Sequence, residues 1–160
     1  AMIIPVQPHV FIGGALDCTP GLNLTGTKAT IHACKYPCWA RFTGSGQLPK
    51  DHPQYLAHIY PFDLILNMID PPVPLFQSAT FAMARTFAKG HLSRGRDLLI
   101  HCNQGLSRAP SIAMLILAKD MGVISDESYE RARDEFEFLY PEYEPGAGIE
   151  QYMREHWNEL

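Results

Sequence analysis

Short aliphatic runs alternate along this chain with longer segments whose apolar residues recur at helical spacing. Four runs have the length and composition of buried strands, at residues 10–13, 29–34, 64–69 and 97–101. Longer apolar segments predict helices over residues 76–91, 109–121 and 149–157, and a further helix after Ser125. Strands that alternate with helices predict an α/β fold, with a central, largely parallel sheet of about five strands flanked by helices.

Two of the predicted helices carry a clear apolar stripe. The first stripe is expected to face the core and consists of Phe76, Ala79, Met83 and Phe87. Ser125 is the expected cap of the later helix, with Asp126 and Glu127 in its first turn. The buried face of that helix is predicted to consist of Tyr129, Ala132, Phe136 and Leu139.

Length and charge narrow the classes of protein. The 160 residues, of which 46% are hydrophobic, suffice for one domain over residues 1–160 and for no second catalytic module. A net charge of −4 without a dense basic run argues against nucleic acid as a partner and gives no attraction to anionic membranes. We find no signal peptide, lipidation site or membrane span, and expect a monomeric, cytoplasmic protein that could also enter the nucleus.

A cysteine and an arginine stand where a predicted strand gives way to a predicted helix. Cys102 follows the strand, and Arg108 stands six positions later, before the apolar helix. Backbone N–H groups in such a loop can surround one anion beside the positive end of the helix dipole. Gly105 lets the loop turn without a Cβ clash, and the planar guanidinium of Arg108 can hold two phosphoryl oxygens. The spacing predicts a site for one phosphate dianion.

This position also favours nucleophilic chemistry. An ordinary cysteine titrates at about 8.5, but a helix N-terminus beside a cation lowers that value to roughly 3.5 to 7.5. We therefore expect Cys102 to attack phosphorus as a thiolate. The departing oxygen then needs a proton, and Asp70 is the candidate acid, because it ends a strand-like run and precedes Pro71 and Pro72 on a stiff loop. Asp63 and Asp97 begin strands, which places them at the far end of the sheet.

The motif His-Cys-x-x-Gly-x-Ser-Arg at residues 101–108 resembles the signature of cysteine-dependent protein phosphatases. The chain is similar to a small, atypical dual-specificity phosphatase of the protein tyrosine phosphatase superfamily. Asp70 lies 32 residues before Cys102 (102 − 70), similar to the acid-to-nucleophile distance of that family. Residues 8–14, 29–34 and 145–152 look like its opening strands, next core strand and closing Pro-x-x-Gly-aromatic segment, with Ile149 replacing the aromatic.

The resemblance implies a protein tyrosine phosphatase-like fold and a role for each residue of the loop. Cys102 would be the nucleophile, Arg108 would bind phosphate and Asp70 would be the acid. Loop amides would bind the remaining oxygens, and these belong to Asn103, Gln104, Gly105, Leu106 and Ser107. His101 would hold the cysteine loop in place, although a buried core histidine with a satisfied hydrogen bond fits its position equally well.

One position departs from the family. A serine or threonine usually follows the arginine and donates a hydrogen bond to the nucleophilic sulfur, whereas this chain has Ala109. A lost hydrogen bond to a charged group is worth roughly 1.5 to 3 kcal/mol, which would slow turnover on the order of ten- to a hundredfold. Ser107 could compensate if its side chain turned inward.

The four cysteines are expected to be thiols rather than disulfides. Cys34, Cys38, His52 and His58 have a spacing that overlaps that of zinc fingers, but Pro53 lies between the two histidines that a finger helix would carry. We therefore expect no metal and no cofactor. Cys34 is either a buried apolar side chain or, as in some relatives, a thiol that traps oxidised Cys102 as a disulfide.

The leading hypothesis is a phosphomonoester hydrolase that works through a cysteinyl-phosphate on phosphotyrosine, and on phosphoserine or phosphothreonine, in proteins. A phosphate-binding pseudophosphatase is the alternative from another class. Phosphoinositide and RNA 5′-phosphate substrates rank lower, because the loop has no lysine and because Ser107 stands where RNA triphosphatase relatives tend to have asparagine. Residues 35–60 predict an irregular insertion, whose aromatic residues either contact substrate or pin the loop to the core.

Overall fold

The computed structural model describes residues 3–17, 28–44 and 47–160. Cys18 lies outside the described residues, so its expected state as a thiol is not addressed by the structure. The three described cysteines, Cys34, Cys38 and Cys102, are buried thiols, and none of them is in a disulfide.

A single mixed sheet forms the centre of the molecule. Its six strands are β1 (Ile4–Gln7), β2 (Val10–Gly13), β3 (Lys28–Ala33), β4 (Ala57–Ile59), β5 (Asp63–Leu66) and β6 (Asp97–His101). Their order is β1-β2-β6-β3-β5-β4, and the pairings of β6 with β2, of β6 with β3 and of β3 with β5 are parallel. The prediction of a largely parallel α/β sheet is confirmed, with six strands instead of about five.

The sequence pattern missed two strands, β1 and β4, which lie at the two edges of the sheet and pair antiparallel with their neighbours. β1 is short, contains Pro5 and pairs with β2 in a hairpin. β4 has only three residues and lies within the segment that was predicted to be irregular. Such short edge strands carry too few alternating residues for periodicity to distinguish them from loop.

Five helices flank the sheet or join its strands. They are α1 (Ala40–Thr43), α2 (Ser78–Leu92), α3 (Arg108–Lys119), α4 (Tyr129–Leu139) and α5 (Ala147–His156). An irregular helical turn, Lys35–Trp39, precedes α1. Within the described residues, no helix is both long and apolar enough to cross a membrane.

Two details of the predicted helices differ from the structure. Phe76, Met83 and Phe87 of the predicted stripe do pack against the core, but Ala79 is exposed. The fully buried face of α2 lies one position further along and consists of Thr80, Phe81, Ala84, Ala88 and His91. Ser128, and not Ser125, caps α4 by accepting a hydrogen bond from Arg131 N–H at 3.1 Å.

The two faces of the sheet differ in composition. Residues at alternate positions of the parallel strands, such as Ile31, Leu64 and Ile100, join the main core beneath α2 and α3. The intervening positions face the Lys35–Trp39 turn, where Cys34, Cys38, Trp39 and Ile65 form a smaller apolar cluster. Polar residues of the buried strands also lie on this second face. They are Thr30, His32, Asp63 and His101.

Candidate active site

The carboxyl ends of the parallel strands bring the predicted site residues to one cavity. Cys102 directly follows β6, and Arg108 is the first residue of α3. The cavity measures about 500 Å³, and its lining consists of Asp70, Cys102, Asn103, Gln104, Leu106, Ser107, Arg108, Glu144, Pro145 and Gly146. The other predicted site residues do not line the cavity: Gly105 lies within the loop between Cys102 and Arg108, and His101 is the last residue of β6, directly before that loop.

Gly105 and Tyr140 fix the shape of the loop. Gly105 has a positive φ of 74°, and a Cβ at this position would lie 3.1 Å from the Gly13 carbonyl oxygen. Only glycine adopts this conformation here without strain. The hydroxyl of Tyr140 donates to the Gly105 carbonyl at 2.5 Å, and the Cys102 N–H donates to the Gly13 carbonyl at 3.3 Å. Burial raises the pKa of Tyr140 to about 12, so this hydroxyl stays a donor.

Arg108 is buried and held from two sides. Its Nη1 donates to the Met68 carbonyl at 2.8 Å and its Nη2 to the Asn103 Oδ1 at 2.5 Å. Its Nε–H is buried without a hydrogen-bond partner among the described residues. A buried cation with an unpaired N–H beside a cavity is a strong site for an oxyanion, because the anion restores the missing hydrogen bond.

Asp70 stands at the rim of the same cavity, on the loop that follows β5. Its side chain is exposed and lies against Gly146, where a Cβ would come within 2.5 Å of Asp70 Oδ1. A Cβ on Gly148 would collide with the carbonyl oxygens of Pro71 and Val73. The start of α5 therefore supports the loop that carries Asp70 through two glycines, Gly146 and Gly148. This gives the closing Pro-x-x-Gly segment a structural role.

His101 is completely buried beneath the loop. Its Nδ1 donates to the Cys102 carbonyl at 3.3 Å, since a carbonyl can only accept. Its Nε2 lies 2.8 Å from His32 Nδ1, and His32 Nε2 donates to Asp63 Oδ1 at 2.7 Å. Both features that the sequence predicted for this histidine, burial and a hydrogen bond to the loop, are present. The His32 and Asp63 partners were not predicted.

Cys34 directly follows β3 and lies beside the loop. Its Sγ donates to the Tyr36 carbonyl at 2.7 Å and lies 3.7 Å from Asn103 Oδ1. Hydrogen bonding from the Cys38 thiol lowers the pKa of Cys34 to about 6, against the opposing effect of burial. Whether Cys34 pairs with oxidised Cys102 stays a prediction.

The position directly after Arg108 is Ala109, which has no hydroxyl. Ser107, directly before Arg108, is the serine that could compensate. Ser107 Oγ accepts a hydrogen bond from Gly146 N–H at 2.8 Å, which holds the side chain against α5. Ala109 is fully buried in the main core. The Ser107 hydroxyl only accepts in this bond and keeps its own proton to donate, so compensation by Ser107 for the missing hydroxyl stays a prediction.

The aromatic residues of the segment 35–60 pack mainly on one another. Trp39 is 1% exposed and stacks on His58 with ring centroids 5.7 Å apart, and Phe42 packs on Tyr60. None of these rings lines the cavity. Trp39 and Phe42 therefore pin the segment to the sheet, one of the two interpretations of the sequence, whereas the Tyr36 side chain is 56% exposed and its contact with substrate stays a prediction.

Three supporting residues were missed by the sequence pattern. Tyr140 and Gly146 had no local signal, because their partners lie 35 and 76 positions away along the chain (140 − 105 and 146 − 70). His32 did have a signal, since a histidine at an alternate position of an otherwise apolar strand indicates a buried partner on that face.

No protein-family model matches this chain, and no curated protein sequence matches it significantly. Solved structures match over nearly the whole chain. Human DUSP28 has a TM-score of 0.66 at 17% identity, covering 99% of this chain and 94% of that one. A human tyrosine phosphatase-like serine/threonine/tyrosine-interacting protein has a TM-score of 0.67 at 19% identity, covering 98% and 96%. DUSP15 has a TM-score of 0.63 at 19% identity, covering 97% and 86%.

The chain therefore has a protein tyrosine phosphatase-like fold, the fold of these solved structures. The fold that the sequence motif implied is confirmed. At these identities the similarity shows the fold alone.

Proposed function

We propose that this protein is a cysteine-dependent phosphatase that hydrolyses phosphotyrosine, and also phosphoserine or phosphothreonine, in phosphoproteins. The observation that carries the proposal is the convergence of Cys102, Arg108 and Asp70 on one cavity. The Nε–H of Arg108, buried without a partner among the described residues, supports it further, because a phosphoryl oxygen is the acceptor that this donor lacks.

Binding would use the loop and the arginine together. One phosphoryl oxygen accepts from Arg108 Nε, and a second replaces Asn103 Oδ1 on Nη2, while Nη1 stays on the Met68 carbonyl. The guanidinium is thus aimed before substrate arrives, which lowers the entropy cost of binding.

The first chemical step transfers the phosphoryl group to sulfur. The Cys102 thiolate forms the S–P bond while the P–O bond to the substrate breaks, and Asp70 gives its proton to the departing oxygen. In the second step water attacks phosphorus, Asp70 takes the proton of that water, and the S–P bond breaks to return the thiolate and inorganic phosphate. Asp70 is at the cavity rim and exposed, where it can exchange this proton with solvent.

Hydrolysis of an aryl phosphate tests the proposal most directly. The parent protein is expected to release phosphate with a burst of the aryl alcohol, since the cysteinyl-phosphate forms before it is hydrolysed. Cys102→Ser is the matched control, because it replaces one atom and keeps the loop. Turnover in the parent no greater than in Cys102→Ser would rule out the enzyme.

Asp70→Asn tests the assignment of the acid. The substitution is expected to slow hydrolysis of a phosphate ester with a poor leaving group by about 10²- to 10⁴-fold, and to affect a good leaving group far less, because only the poor one needs the proton. Steady-state rates on the two esters check this. Equal losses on both would assign the acid to another residue.

A phosphate-binding module is the second candidate, and a specific observation favours it. Position 109 carries a methyl group instead of the hydroxyl that the resemblance implies, so the sulfur lacks that donor during dephosphorylation. The aryl phosphate assay distinguishes the candidates, since a module would bind phosphate and leave the ester intact.

The cavity lining favours simple phosphate esters over polyanionic ligands. Among the described lining residues, Arg108 is the one cation, and Asp70 and Glu144 are carboxylates. A multiply phosphorylated inositol would face these carboxylates without further cations. A panel of phosphopeptides and phospholipids screened with the Cys102→Ser variant as a trap would identify the substrate class.

A further inference from the structure

Three metal-binding side chains meet on the second face of the sheet, outside the cavity. His32 and His101 are direct neighbours on the paired strands β3 and β6, and Cys38 reaches them from the Lys35–Trp39 turn. All three are nearly inaccessible, with exposures of 4%, 0% and 2%. Their ligand atoms lie within 4.8 Å of one another.

The two imidazoles have a fixed orientation. His32 Nε2 carries a proton because it donates to the Asp63 carboxylate, and His101 Nδ1 carries one because it donates to the Cys102 carbonyl. The remaining nitrogens, His32 Nδ1 and His101 Nε2, face each other at 2.8 Å. A ring proton on one of the two nitrogens, or a metal ion between them, accounts for this short separation.

We propose that His32 Nδ1, His101 Nε2 and Cys38 Sγ form a binding site for a zinc-like divalent ion, separate from the phosphate cavity. This site differs from the Cys34, Cys38, His52 and His58 set considered from the sequence. It also departs from the expectation that the protein holds no metal.

The three distances between the ligand atoms, 2.8 Å, 3.8 Å and up to 4.8 Å, bracket those that such an ion needs, so Cys38 Sγ would move toward His32 Nδ1 when the ion binds. Zinc bonds of about 2.05 Å to nitrogen and 2.3 Å to sulfur, at tetrahedral angles, place two nitrogens about 3.4 Å apart and nitrogen and sulfur about 3.6 Å apart. Cys38 Sγ already lies 3.8 Å from His101 Nε2. The imidazole pair opens by roughly half an ångström from its separation in the structure, a movement that small χ2 rotations provide.

Charge and donor type favour the same kind of ion. A divalent cation, the Cys38 thiolate and the Asp63 carboxylate sum to zero, so the buried cluster would carry no net charge. Asp63 accepts a hydrogen bond from His32, as a carboxylate commonly does from a metal-bound histidine. Two imidazoles and one thiolate select zinc over magnesium or calcium, which prefer oxygen.

The position of the site has a consequence for the phosphate loop. Through Nδ1, His101 donates to the carbonyl of Cys102. An ion on Nε2 would keep the proton of His101 on Nδ1, and with it the hydrogen bond that holds the loop. The site itself does not depend on the proposed phosphatase activity.

Cobalt(II) absorption provides a test whose readout is independent of activity. Cys18→Ser and Cys102→Ser are introduced first, so that only Cys34 and Cys38 remain as thiols. Titration of this full-length protein with Co²⁺ is expected to give tetrahedral ligand-field bands and a sulfur-to-cobalt charge-transfer band that saturate at one ion per chain. Added Zn²⁺ is expected to displace the cobalt.

Matched thiol variants assign the ligands. In this background Cys38→Ser is expected to abolish the charge-transfer band, whereas Cys34→Ser, at the neighbouring thiol, is expected to retain it. Absence of these bands in the background protein, or their survival in Cys38→Ser, would overturn the proposal and leave a shared proton between the imidazoles.

Nitrogen-15 NMR of the same background protein covers the case in which Cys38→Ser does not fold. Zn²⁺ is expected to shift the ring nitrogens of His32 and His101 and to leave those of His52 in place. A shift of the His52 nitrogens with those of His32 and His101 unchanged would contradict the assignment.

Discussion

Ala109 directly follows Arg108 and is completely buried at the start of α3. A methyl group at this position cannot donate to the neighbouring sulfur, so the thiolate is a poorer leaving group when water attacks the cysteinyl-phosphate. The proposed enzyme is therefore expected to be limited by its second step, with the intermediate accumulating.

Ala109→Ser is expected to speed that second step by on the order of ten- to a hundredfold, because a hydrogen bond to a charged sulfur is worth roughly 1.5 to 3 kcal/mol. Rapid mixing with an aryl phosphate separates the two steps. The amplitude of the aryl alcohol burst should fall as the steady-state rate rises. An unchanged steady-state rate would mean that dephosphorylation does not depend on this hydroxyl.

Gly146→Ala probes the position of Asp70 without removing it. The new Cβ would lie 2.5 Å from Asp70 Oδ1, and the exposed carboxylate can move aside at little cost to stability. A displaced acid is expected to lower the rate on a poor leaving group by on the order of 10²-fold.

The double variant Gly146→Ala with Asp70→Asn serves as the control for this prediction. It should be no slower than Asp70→Asn alone, because a carboxylate that is absent cannot be misplaced. Additive losses would show that Gly146 acts on the reaction by another route.

At the scale of elements, the start of α5 packs directly on the loop after β5 that carries Asp70. Gly148 sits where any side chain would collide with the backbone of Pro71 and Val73, and Gly146 sits against Asp70. The loop is rich in proline and has few backbone hydrogen bonds of its own, so α5 determines where it lies.

Gly148→Ala is expected to destabilise the protein by about 1 to 3 kcal/mol, since the clash is with backbone that cannot rotate away. Gly90→Ala is the matched control: Gly90 is in the interior of α2 with open space around its Cα. That change should be neutral or stabilise by about 0.5 to 1 kcal/mol. Urea unfolding measures both, and similar values for the two variants would contradict the close packing of α5 on the loop.

For the whole molecule, buried histidines predict how stability depends on pH. His58 lies on β4 against Trp39, with Nε2 unpaired among the described residues, and burial together with the nearby His52 lowers its pKa. Burial, then Arg96, lowers the pKa of His91 in the same way. Both groups bind protons more readily in the unfolded chain, so their contribution is present above about pH 6.5 and is lost as the pH falls below it.

His58→Gln keeps a polar side chain that does not titrate. The parent is expected to lose more free energy of unfolding than this variant when the pH falls from about 7.5 to 5.5, because only the parent takes up the additional proton on unfolding. Urea unfolding at the two pH values measures the difference. Equal losses would mean that His58 is not a source of the acid sensitivity.

How much could be predicted from the sequence depended on the distance over which each signal acts. The loop from Cys102 to Arg108 and the helix after it are local, so the motif and the apolar run predicted both elements and the part of the cavity lining that this loop supplies. Asp70 was predicted from the end of a strand-like run, and the parallel order of β5, β3 and β6 brings their carboxyl ends to one edge of the sheet, where Asp70 and Cys102 line the same cavity.

The sequence alone determined the α/β class, the largely parallel sheet and the residues of the phosphate loop, because periodicity and short spacings are properties of neighbouring positions. Only the tertiary structure decided which distant residues meet: Gly146 with Asp70, Tyr140 with Gly105, and His32 with both Asp63 and His101. It also decided that Cys38 joins these two histidines instead of His52 and His58. Such contacts follow from strand order and from which face each side chain takes, and both are set when the whole sheet packs.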